Sequence, residues 1–191
     1  MTPRTITVLL SAGLCALTAI GCTSSQPAKE DAMSGSSSPA PSDPDTRLRE
    51  RPSFEAAQQQ YTAAVTNTAN QIVALVPGLT WTIEENSWRG CGGEFLHTKG
   101  VQAYVVATFT GPTPDPLWPR ALKIVEDAAA QLGATDIQPL KDGPADHDVI
   151  LTSPDGVEVT FGTAKATVLS AKSECRLRQK DTPAPRSSAA P

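Results

Sequence analysis

Residues 148–161 read DVILTSPDGVEVTF. Two β-favouring runs, 148–152 and 157–161, flank Ser153-Pro154-Asp155-Gly156. That tetrapeptide has the chemistry of a tight turn: proline presets φ, aspartate bonds nearby backbone groups, and glycine accepts a positive φ. In the second run Val157, Val159 and Phe161 alternate with Glu158 and Thr160, the period of a strand with one buried face. Adjacent antiparallel strands are therefore predicted here.

Further strands are predicted on both sides. A segment over 166–169 follows, and 174–178 is expected to close the sheet. Upstream, Val101, Ala103, Val105, Ala107 and Phe109 alternate with Gln102, Tyr104, Thr108 and Thr110. Val106 interrupts the polar side, so the outer sheet face is expected to be partly covered. A short strand is predicted over 79–83.

Two helices complete the pattern. Ser53 is a capping residue, and Glu55 in the first turn suits the helix dipole. Phe54, Tyr61, Val65, Ile72 and Val76 line one face, and Pro77-Gly78 ends the helix. The second helix is predicted over about 116–132, with Asp115 as cap, Pro116 in the first turn, and Gly133 as the left-handed exit. Trp118, Leu122, Val125, Ala129 and Leu132 form its apolar stripe. Helices combined with a meander of strands predict an α+β fold in two layers, two helices packed on a mainly antiparallel sheet.

The N-terminal part has a different character. Arg4 precedes an apolar run over 6–20, which ends in ALTAIGC at Cys22. A basic start and a short apolar stretch read as a secretion signal. Fifteen residues, at about 1.5 Å each, fall short of the roughly 30 Å hydrocarbon core, which disfavours a spanning helix. Ala19-Ile20-Gly21-Cys22 is similar to a bacterial lipobox. That resemblance implies a diacylglyceryl group on the Cys22 thiol, cleavage before Cys22, and acylation of the new amine. Ordinary signal-peptidase cleavage after Ala19 or Gly21 is the alternative. Two or more chains anchor a protein stably, whereas one does not.

The expected organisation is a lipoprotein signal at 1–21, lipidated Cys22 and a disordered tether through 52, one domain at 53–180, and a disordered tail at 181–191. The 24 residues over 23–46 hold seven Ser and four Pro, too little apolar surface to offset ordering entropy. As coil they would average roughly 25–30 Å end to end. Loss of residues 1–21 removes one basic residue of the 16, leaving 15 against 20 acidic. The resulting formal charge of −5, with no basic stripe, argues against nucleic-acid binding.

Of the four cysteines, Cys15 leaves with the signal and Cys22 takes the lipid, so Cys91 and Cys175 remain. An oxidising compartment permits a bond between them, and two free thiols are the alternative. RGCGGEF around Cys91 lacks the Lys-Ser/Thr of a phosphate-binding loop and reads as a disulfide corner.

Motifs for catalysis are absent from the chain: no His-Glu-x-x-His, Gly-x-Ser-x-Gly or Cys-x-x-Cys occurs. Glu84, Glu85, Glu94 and His97 lie close enough in sequence for a weak cation or acid–base cluster. His147 stands between Asp146 and Asp148, whose side chains point away from it in an extended strand. Ser87, Ser170 and Ser173 carry no nucleophile signature. No cofactor, metal site or catalytic residue is assigned.

The domain resembles the LppA-like lipoproteins of mycobacteria. The likeness spans about 53–178 and rests on SFEAAQQQYTAAV, IVALVPGLTW, Cys91, VEDAAAQLGAT and VTFGTAKATVLSAKSEC. It implies the anchor at Cys22 and a Cys91–Cys175 bond, and supplies no catalytic residues. The expected function is a lipid-anchored envelope protein on the outer face of the cell membrane, acting as a non-catalytic binding or interaction module. A structural role in envelope maintenance and an envelope hydrolase are the alternatives. A small apolar or peptidic envelope ligand is expected between sheet and helices, lined by Trp81, Tyr104, Trp118 and Phe161.

Overall fold

The computed structural model describes residues 43–182. The signal, Cys22, most of the expected tether and most of the expected tail lie outside the described residues. The elements are α1 (Pro44–Arg49), α2 (Phe54–Leu75), β1 (Trp81–Gly90), β2 (Val101–Phe109), α3 (Trp118–Gln131), β3 (Asp136–Gly143), β4 (Asp146–Thr152), β5 (Glu158–Thr163) and β6 (Thr167–Lys172). Short 3-10 turns occupy Gly93–Phe95 and Gln179–Asp181. The strands form one six-stranded sheet in the order β1-β2-β6-β5-β4-β3, with every pairing antiparallel. Helices α2 and α3 pack on one face, which is the expected two-layer α+β arrangement.

The Ser153–Gly156 turn connects β4 and β5 as the sequence predicts. Gly156 adopts a φ of 92°, and Val149 pairs with Phe161 across the hairpin. Helix α2 is capped by Ser53, whose Oγ accepts from the Ala56 N–H at 3.3 Å. Its buried face, from Phe54 through Tyr61 and Val65 to Ile72, lies over Ala103, Val105 and Ala107 of β2.

Helix α3 begins at Trp118, two residues later than predicted. Asp115 does not cap it. The Asp115 carboxylate instead accepts from the Ala145 N–H at 3.0 Å, where the β3–β4 turn takes a positive φ of 55°. A tighter turn from Pro114 to Leu117 fills the residues between.

Four other segments depart from prediction. Helix α1 lies within the stretch read as tether, and its Leu48 is fully buried. Strand β1 continues to Gly90 rather than ending near Ile83, with a register shift between Ile83 and Glu85. That extra residue reverses the alternation, which hides a strand in WTIEENSWRG from a period-two search. Strand β3, DIQPLKDG, is an exposed edge with Pro139 and a second register shift. Proline, charge and a bulge all protect an edge from further pairing, and they also make it read as loop. Residues 174–178 do not close the sheet. They leave it after Lys172 and make only a bridge from Arg176 to Val101.

Candidate functional site

The four candidate aromatics do not converge. Trp118 is 7% exposed and stacks on fully buried Phe161, with ring centroids 4.8 Å apart. The other Trp118 neighbour is the His147 ring, also at 4.8 Å. Trp81 lies at the opposite end of β1 from the disulfide, where its Nε1 donates to Asn70 Oδ1 at 3.0 Å. Tyr104 projects from the other face of the sheet, with the Arg89 guanidinium 4.0 Å above its ring. Between helices and sheet, a cavity beside Val65, Val125, Val159 and Leu169 measures only about 10 Å³, about one water at most. The expected ligand position is therefore occupied by tightly packed side chains.

The glycine-rich loop is a disulfide corner. Cys91 and Cys175 are bonded across 84 residues of sequence, with Cα atoms 5.9 Å apart. Leu48, Phe95 and Leu177 bury against them to make a second, smaller core. The Arg47 and Arg51 guanidiniums lie 5.0 and 5.3 Å from the centre of the Phe95 ring. Gly100 makes a close approach here: a Cβ would stand 3.0 Å from Cys91 Sγ and 3.1 Å from Leu48 Cδ1, so these neighbours would have to give way.

Of the expected acidic cluster, Glu85 and Glu94 are drawn into separate ion pairs, and Glu84 is exposed. Glu94 pairs with Arg47, and that hydrogen bond holds the Glu94 carboxyl below its ordinary value. Glu85 pairs with Arg89 at 2.8 Å, and the same kind of contact lowers its pKa. His97 is exposed. Among the described residues, no group of three or more His, Cys, Asp or Glu side chains is arranged to hold a metal ion.

His147 faces partners that sequence adjacency did not indicate. Its Nδ1 is 2.9 Å from Asp142 Oδ1, and its Nε2 is 3.3 Å from Asp115 Oδ1. Together with the Trp118 stack, these contacts join the β3–β4 hairpin to the start of α3. The serines are likewise structural. Ser87 donates to Glu85 at 2.6 Å, Ser170 shares a hydrogen bond with Thr160 at 2.5 Å, and Ser173 Oγ accepts from the Ala103 N–H at 2.8 Å.

A further polar network was not visible in sequence. Buried Tyr61 donates to Glu174 Oε2 at 3.2 Å, and Glu174 also pairs with Arg176. Burial first, and the Glu174 carboxylate second, push the Tyr61 hydroxyl far above its usual value. Arg176 Nη1 reaches the Pro52 carbonyl at 3.2 Å, so the network fastens the entry to α2. The glutamate and arginine lie over a hundred residues from Tyr61, and no local pattern links them.

Two open surfaces remain. On the helical side, a groove of about 440 Å³ runs between α2 and α3, bordered by Gln60, Asn67, Gln71, Lys123, Asp127 and Gln131. On the other side, no helix covers the sheet among the described residues. Tyr104, Val106 and Thr108 of β2 lie beside Lys172, Ser170 and Val168 of β6, in register. Clefts of about 390 and 310 Å³ occupy the two ends of this face. The first is walled by the Gly92–Phe95 segment and the Ser153–Gly156 turn, and Lys172 and Glu158, paired at 2.8 Å, line it.

These features define a two-layer α+β domain with a filled interior, one uncovered sheet face and a disulfide-closed corner. The chain belongs to the LppA family, described as "Lipoprotein confined to pathogenic Mycobacterium", whose pattern matches residues 39–179. It is 27% identical to the lipoprotein LppB of Mycobacterium tuberculosis over 150 residues, covering 72% of this chain. The matched region spans 66% of that relative's length. The crystal structure of the lipoprotein LppA from Mycobacterium tuberculosis superposes with a TM-score of 0.62 at 24% identity, covering 76% of this chain and 90% of that one. This second likeness concerns the fold. Family membership supports an exported, membrane-associated envelope protein.

Proposed function

We propose that the protein is anchored to the outer face of the cell membrane by lipid on Cys22 and works there as a non-catalytic interaction module. The uncovered sheet face is its working surface, and a peptidic envelope component is its partner. One observation carries this reading: the cavity between helices and sheet beside Val125 and Leu169 measures only about 10 Å³, while Tyr104 and Val106 stand half-buried on the face opposite the helices. Half-buried apolar groups bordered by paired charges, Arg89–Glu85 and Lys172–Glu158, suit a peptide laid across strands. They offer contact area together with groups able to bond amides.

The anchor is tested by detergent partitioning and intact mass. Wild-type protein is expected in the detergent phase with a lipidated Cys22, and Cys22→Ala in the aqueous phase. An unmodified Cys22 in exported protein would overturn the anchor. The surface is tested by photo-cross-linking in the native envelope from a probe at position 104 and another at position 60. A peptide adduct from 104, lost in Val106→Asp and absent from 60, supports the outer face. Adducts from 60 alone move the interface to the helical groove.

A further inference from the structure

The described chain begins at Asp43 and enters α1 at once. Leu48 of α1 packs on Phe95 in the small core, and Leu96 follows directly. Leu96 is 61% exposed, the most exposed large apolar side chain among the described residues. Trp88, 52% exposed, lies near the Gly90 end of β1, the end of the sheet that carries the disulfide. The Arg178 guanidinium lies 4.5 Å from the centre of the Trp88 ring. Three residues further on, Asp181 is 3.9 Å from Lys99 Nζ, itself three residues after Leu96. Two protruding apolar side chains thus share one end of the domain, and the N-terminal segment enters at that end.

Scattered exposed apolar residues are ordinary on soluble proteins. What distinguishes these two is their position relative to the anchor. Twenty residues separate Cys22 from Asp43, a span of at most about 70 Å even when fully extended. A surface held so near a bilayer meets it at high effective concentration, so a weak intrinsic affinity suffices for contact. Tryptophan suits the headgroup boundary, with an apolar body and one polar N–H.

We propose that this end of the domain rests on the phospholipid surface, with Trp88 and Leu96 inserted at the headgroup boundary. The proposal depends on the lipid anchor at Cys22. Three of the cations here are matched by carboxylates, Arg47 by Glu94, Arg49 by Asp43 and Lys99 by Asp181, and the Arg178 guanidinium lies against the Trp88 ring itself. Apolar insertion rather than charge therefore carries the contact, and added salt leaves it in place. The outer sheet face stays open to a partner in this orientation, because it lies along the strands rather than at their ends.

Tryptophan fluorescence tests the contact in the full lipidated chain, reconstituted in phosphatidylcholine–phosphatidylglycerol vesicles containing acyl-brominated lipid. Trp118 is buried, and Trp81 lies seven residues back along β1, about 23 Å away. Quenching is expected to fall on Trp88 alone. It should vanish in Trp88→Phe, fall at least twofold in Leu96→Asp, and stay unchanged in high salt. Both variants alter exposed side chains, and unchanged circular dichroism confirms their fold. Protein that floats with the vesicles while Trp88 remains unquenched would overturn the docking but not the anchor. Protein that fails to float would overturn both.

Discussion

Phe161 and Leu48 are both fully buried, yet they belong to regions built in opposite ways. Around Phe161, contacts come from periodic runs: alternate residues of β2, β5 and β6, and one stripe each of α2 and α3. Each run is apolar on one side before any partner arrives, so many small contributions assemble one interior. Around Leu48, five residues from three separate stretches meet: Leu48, Cys91, Phe95, Cys175 and Leu177. None of those stretches shows an apolar period. A covalent bond and one glycine at a close approach do what repetition does in the larger core.

The sharpest break of this comparison removes the bond. Replacing Cys91 and Cys175 with serine releases a constraint across 84 residues, and the unfolded chain gains freedom worth about 4–5 kcal/mol. A correspondingly lower midpoint is expected in thermal or urea unfolding. A loss under about 1 kcal/mol would show that the small core holds itself together. Phe161→Ala follows, with an expected loss of about 3–5 kcal/mol. Trp118 would keep no ring partner there except His147, and the whole domain should unfold in one transition.

Leu48→Ala separates the two regions more finely. Its expected cost is about 2 kcal/mol, the low end for a buried leucine, because a short helix can reseat. Hydrogen exchange should quicken over 44–49 while amides of β2 and β6 keep their protection. A global midpoint falling as far as in Phe161→Ala would mean that the two cores unfold as one.

Acid supplies the gentlest test. The Arg47 hydrogen bond lowers the Glu94 pKa from its ordinary 4.5, so this pair contributes stability above that value. The contribution is lost as pH falls through the lower, folded-state value. Lower protection factors over 44–49, taken against the intrinsic exchange rate at each pH, are therefore expected below about pH 4.5, and Glu94→Gln should already show them at neutral pH. Protection factors over 44–49 that do not change with pH in wild-type protein would leave α1 held by Leu48 alone.

The legible parts of the fold were those with local repetition. The β4–β5 hairpin, β2 and α2 each announce themselves in a dozen or so residues, since turn chemistry and side-chain period act over that range. Strands β1 and β3 did not. Their bulges break the period, and as edges they carry polar residues and Pro139 where a central strand would carry apolar ones. The disulfide corner was legible through cysteine counting and family resemblance, while α1, which packs against it, was not.

For the candidate site the division is the same. Sequence alone determined that Trp118 and Phe161 sit on apolar stripes and that Tyr104 sits among polar alternates. Which stripe meets which was settled only by tertiary structure. Register placed Phe161 opposite Leu169 on the helix-facing side and Tyr104 opposite Lys172 on the uncovered side, so residues that looked like one lining face opposite directions. His147 found Asp115 across 32 residues, and Tyr61 found Glu174 across 113. Such pairings have no local signal, because the free energy that forms them comes from burial and packing of the completed sheet and helices rather than from the residues next to them.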